Sequence, residues 1–125
     1  MIKNLLLVGL GGGIGSMLRY LVSLLINKYS FLTFPFATFV VNMSGCLLIG
    51  LLLGLSEKYS AFNSELRYLL VIGLCGGYTT FSTFSAENVQ LLENGNYLIF
   101  GLYALGSVSV GLFALWLGYM ISKII

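Results

Sequence analysis

The sequence has no aspartate and no histidine, and its Lys+Arg count of 6 and Asp+Glu count of 4 leave few charges in 125 residues. The charged fraction is 8%, whereas soluble domains carry about 25%. Without Asp or His, the usual acid–base pairs, Ser–His–Asp triads and His-containing metal sites have no material. The six basic residues are dispersed, so no stripe follows a phosphate backbone, and nucleic acid is not an expected partner. Cys46 and Cys75 stand alone in apolar runs, with no Cys-x-x-Cys spacing, and read as small packing residues. Proline occurs once, at Pro35, where it suits the start of a helix.

What is abundant is apolar: 58% of residues are hydrophobic and mean hydropathy is +1.00. A chain this small leaves a large share of its surface outside any core, so a soluble globule is excluded. A bilayer-crossing helix needs about 20 mostly apolar residues, and the intervals between charges map four of them. Residues 29–56, 68–86 and 94–122 contain no charge, and residues 4–27 contain only Arg19. The expected fold is an all-α integral membrane protein, one four-helix domain over 1–125 with spans near 4–27, 34–56, 68–92 and 98–122. Barrel strands would be about 10 residues long and alternate in polarity, which these runs do not. A cleaved signal peptide is disfavoured, because the first apolar run continues past Gly15 to Ile26. Lys3, Lys58, Arg67 and Lys123 fall on the face expected for both termini, against Lys28 opposite, which leans toward termini inside. Four helices without an internal duplicate make a narrow bundle, so at least a homodimer is expected.

Several residues are out of place in lipid. Gly9 with Gly13 and Gly11 with Gly15 are small residues four apart, the spacing of close helix packing. No dinucleotide fingerprint is formed, since Ile14 and Ser16 occupy the third-glycine positions. Arg19 is costly within a span unless it snorkels to an interface or faces water, an anion or a partner. It reads either as an anchor or as the positive charge of an anion vestibule. Thr38, Asn42 and Gly45 share one helical face, where Asn42 serves as interhelical glue or lines a wet path.

In the third span, Gly76 and Gly77 precede the run Tyr78-Thr79-Thr80-Phe81-Ser82-Thr83-Phe84-Ser85. Adjacent glycines and hydroxyls that compete for backbone bonds predict a helix break near residues 76–80. Such backbone persists at membrane depth only where protein or water covers it, and its free carbonyls suit a small cation such as sodium. A packed glycine kink is the plainer alternative. Phe81 and Phe84 share a face, as core, as lipid contacts, or as rings offering a positive edge to an anion. Glu87 is expected to be a hydrogen-bonding partner of Tyr103 rather than part of a proton relay, and Ser107 lies one turn beyond Tyr103.

Gly11, Gly12, Gly15, Arg19 and Tyr20, then Thr38, Asn42, Gly45 and Gly50, then Gly73, Gly76, Gly77 and the block 79–84, together resemble the Fluc/CrcB family of fluoride channels. The likeness covers essentially the whole chain, and the last block is its most specific part. It implies an antiparallel, dual-topology homodimer with two pores along the subunit interface and a structural sodium ion at the centre. It also implies passive electrogenic fluoride export across the cell's inner membrane, with no enzymatic step. The resemblance places the pore Asn on Asn42 and the pore phenylalanines on Phe81 and Phe84, and gives the sodium ion the carbonyls of Gly76 and Thr79. Thr38, Tyr103 and Ser107 match the polar lining, and Ser82 and Thr83 add hydroxyl donors. Ser16 stands where the family usually has Ala, and Ala37 where it usually has Gly, each exchanging one small residue for another. The charge lean exceeds what dual topology implies and leaves a paralogue as an alternative partner. The rival functions are a small four-span proton-coupled exporter of lipophilic cations, which wants an acid in the first span where this chain has Arg19, and a purely structural membrane subunit.

Overall fold

The computed structural model describes residues 1–125, all of whose regular structure is helical. The first helix runs Ile2–Tyr29, the second Phe36–Lys58, the third span Ser64–Glu93 and the last helix Tyr97–Ile124. Each is long and apolar enough to cross a membrane. Pro35 caps the second helix, and its carbonyl accepts the Phe39 N–H. Gly95, the one residue with a positive φ, turns the chain between the third span and the last helix.

The third span departs most from the sequence-based expectation. It begins at Ser64, where the Asn63 side chain accepts the Leu66 N–H, and continues as a π-helix over Arg67–Cys75. A further helical turn covers Gly76–Tyr78. The chain is non-helical over residues 79–81 and becomes helical again at Ser82–Glu93. The break thus lies at the C-terminal edge of the predicted 76–80 window: both glycines stay helical, and the hydroxyl residues interrupt the helix. Thr79 is extended, with φ −78° and ψ 158°. Its hydroxyl donates to the Cys75 carbonyl at 2.9 Å, which the Thr79 N–H also reaches.

The first helix packs on the N-terminal half of the third span, and the second helix on the last. Both contacts are backbone on backbone. A Cβ on Gly15 would collide with the Leu74 carbonyl, and one on Gly77 with the Gly12 carbonyl. In the other pair a Cβ on Gly50 would strike the Leu115 carbonyl. Lipid is as apolar as leucine, so close packing supplies the association that water would otherwise drive. The expected Gly9–Gly13 pair makes no such contact; both positions face open space.

The connections alternate ends, which brings both termini to one end of the bundle. There Lys3 pairs with Glu65, Tyr119 donates to Glu57, and the Tyr59 hydroxyl donates to the Ile125 carbonyl. Lys28, Lys58 and Lys123 occupy last turns of helices, each over the ring of a neighbouring tyrosine. Positive charge at the helix C-terminus and an amphipathic ring together suit the headgroup level.

Candidate functional site

The polar face of the second helix reads the third span level by level. Thr38 donates to the Glu87 carboxylate. One turn on, the Asn42 amide donates to the Thr80 carbonyl at 2.9 Å and accepts the Thr80 N–H at 2.8 Å. At Gly45 the Thr79 methyl fills the space that a side chain would occupy. Asn42 therefore satisfies both backbone groups of the residue at the centre of the break, where hydrocarbon offers no partner. One amide N–H remains available to a ligand.

The sequence marks Thr80 only as one of the hydroxyls that interrupt the helix; the structure gives it a further task. Its hydroxyl accepts the Thr83 N–H at 3.2 Å and donates to the Thr83 hydroxyl at 3.1 Å. It thereby caps the helix that restarts at Ser82 while Asn42 holds its backbone. The Thr-Thr-Phe-Ser-Thr spacing carried that signal, since a hydroxyl three residues before a helical N–H is a capping pattern.

An open groove of about 280 Å³ runs along the break. Asn42, Met43, Cys46 and Ile49 form one wall, Thr79, Thr80, Phe81 and Phe84 another, and Ser107 and Val108 of the last helix complete it. Phe81 is 79% exposed, so its ring stands at the open edge, 5.8 Å from that of Phe84. The Ser107 hydroxyl is buried without a hydrogen-bond partner. The groove thus combines two phenyl rings with two residues, Asn42 and Ser107, that each keep an unspent donor, in an apolar setting.

Tyr103 is fully buried behind this wall, edge-on to Phe84 at 5.0 Å and to Phe34 at 5.3 Å. Its hydroxyl makes no hydrogen bond. The expected Glu87–Tyr103 bond is therefore absent: Thr38 stands one turn from Asn42 on the same face and supplies the proton instead.

Arg19 is half-buried and lines a separate cavity of about 200 Å³ with Ser23, Thr38, Val41, Thr80 and Thr83. It takes no part in the one salt bridge of the chain, which joins Lys3 and Glu65. Apart from Val41, the residues that share this cavity with Arg19 all carry hydroxyls. Thr80 borders both this cavity and the groove. Ser82 lines neither; its hydroxyl lies 3.4 Å from that of Thr80. The carbonyls of Gly76 and Thr79 accept no backbone or side-chain hydrogen bond within the chain beyond its regular helices, and a Cβ on Gly76 would meet open space.

The sequence profile of the CrcB-like protein, Camphor Resistance (CrcB) family matches residues 6–119. A Flavobacterium psychrophilum protein named fluoride-specific ion channel FluC is 55% identical over 121 residues, 97% of this chain and 98% of the relative. Proteins of the same name from Azobacteroides pseudotrichonymphae and Phocaeicola vulgatus are each 48% identical, over 98% and 97% of this chain and 98% and 99% of their own lengths.

Proposed function

The chain belongs to the CrcB-like family, and on that premise we propose that it is a fluoride-selective channel giving passive, electrogenic fluoride export across the cell's inner membrane. The observation that carries the reading is the groove at the clamped break, where phenyl edges and unspent donors meet without a fixed positive charge. Fluoride holds its water strongly, so a pore must replace that water at each step and bind loosely enough to let the ion leave. Arg19 concentrates anions in the hydroxyl-lined cavity. Thr80 and Thr83 border the passage toward the break, and the free N–H of Asn42 and the hydroxyl of Ser107 take over as donors. Phe81 and Phe84 offer their positive edges, contacts too weak to trap the ion.

The exposed Phe81 and the open face at Gly76 are covered, in this reading, by a second copy inserted antiparallel, giving two pores along the interface. A paralogue is the alternative partner. The unspent carbonyls of Gly76 and Thr79 fit a sodium ion, which takes oxygen ligands. When bound, sodium supplies fixed positive charge that holds the two broken spans together. The exporter of lipophilic cations is disfavoured because the first helix contains no acid.

The test is fluoride efflux from liposomes holding the purified protein, with potassium ionophore clamping the voltage. Rapid efflux with chloride excluded is expected. Fluoride movement that requires a proton gradient, or no movement, contradicts the proposal.

A further inference from the structure

A third cavity, of about 280 Å³, lies where the first helix and third span end, away from the groove. Its polar lining includes Asn27, Ser30, Gln90, Asn94 and Asn96 together with the carboxylate of Glu87, and no Lys or Arg borders it. Ser30 and Asn94 cap two helix C-termini, while Pro35 and Asn96 cap two N-termini. Glu87 is the one charged side chain among the residues that line it. Glu87 accepts one hydrogen bond, from Thr38, and has no salt-bridge partner, although a carboxylate offers about four acceptor positions.

We propose that this cavity binds a hydrated divalent cation of the hard, oxygen-seeking class, magnesium or calcium, against Glu87. Carboxamide, hydroxyl and carboxylate oxygens suit such ions, and no thiol or imidazole competes for softer metals. The volume admits an ion with its first water shell, since each water takes about 30 Å³. One carboxylate among neutral oxygens sets the affinity near the weak end for such sites, about 10⁻⁴–10⁻³ M. Glu87 and Thr38 are directly bonded, and Thr38 also borders the Arg19 cavity. A cation that draws the carboxylate toward the third cavity frees the Thr38 hydroxyl to donate into the second. The two chambers, one for each sign of charge, are thus linked through a single hydrogen bond. The site rests on the cavity and its donors alone, so it stands or falls independently of fluoride conduction.

Manganese(II) is the probe, because it shares the oxygen preference and reports free ion by its paramagnetic resonance signal. The full chain in detergent is titrated without fluoride. Saturable binding of one ion per chain in the stated range, displaced by magnesium or calcium, is expected. Asn94→Leu and Gln90→Leu each weaken it at least about tenfold, roughly 1.4 kcal/mol, while manganese-free fluoride efflux in liposomes stays at the wild-type rate. Absence of saturable binding below about 10 mM, far above the affinity range of such sites, overturns the proposal, as does equal binding by both variants.

Discussion

At the scale of single residues, Asn42 does two things with one side chain. It pairs both backbone groups of Thr80, and it lines the groove with one N–H unspent. Asn42→Leu leaves a buried donor and acceptor unpaired, at about 1–3 kcal/mol each. The variant is expected to melt well below wild type in detergent and to lose fluoride flux; an unchanged melting temperature would show that the clamp is dispensable. Thr80→Val keeps the shape and removes the cap on the Thr83 N–H, a loss of about 0.5–2 kcal/mol. Thermal denaturation is expected to show it. Phe81→Ile and Phe84→Ile replace ring edges with alkyl groups that present no positive rim. Flux is expected to fall at least about tenfold, equivalent to roughly 1.4 kcal/mol, with the proposed dimer intact by size-exclusion chromatography. Dissociation of that dimer instead would make the rings packing residues. The Thr38–Asn42–Gly45 face was legible in the sequence because helical periodicity is a local property. The two-pronged use of Asn42 was not, because it depends on where a different span is interrupted.

At the scale of elements, two close-packed pairs and one interruption define the bundle. Gly15 and Gly118 sit against opposing backbone carbonyls, of Leu74 and Leu47, whereas Gly13 faces open space. Gly15→Ala and Gly118→Ala are expected to cost about 1–3 kcal/mol through overpacking, and Gly13→Ala to leave stability unchanged or raise it by up to about 1 kcal/mol through helix propensity. Equal melting temperatures for all three variants would remove the case for backbone contact. Spacing alone marked Gly9–Gly13 and Gly11–Gly15 alike; only the neighbouring helix separates them. The four apolar helices were readable from the gaps between charges. The π-helix over Arg67–Cys75 was not, because an i→i+5 turn has no distinctive residue signature and is fixed by packing. The break was readable to within about three residues, though for a partly different reason: hydroxyls at Thr79 and Thr80, rather than the glycine pair, stop the helix.

At the scale of the whole molecule, four spans bring both termini, with Lys3, Lys58 and Lys123, to one end, while Lys28 marks the other. The proposed antiparallel assembly requires both orientations in one membrane despite this lean. Cysteines placed at Lys28 and at Lys123, in a background with Cys46 and Cys75 replaced by Ala, are each expected to be labelled by an impermeant thiol reagent from both sides. Labelling of one position from one side only would favour a fixed orientation and a paralogous partner. Assembly was the least legible level from the sequence. Phe81 is largely exposed and Gly76 faces open space, and neither exposure names what covers it. The central claim is that the groove conducts fluoride in preference to other halides, and its most direct test is the reversal potential of the pure protein in a planar bilayer. With a fluoride gradient opposed by a chloride gradient, the current is expected to reverse at the fluoride equilibrium potential, moving about 59 mV per tenfold change in fluoride. A reversal potential that follows chloride or protons, or an absence of current, would contradict the account.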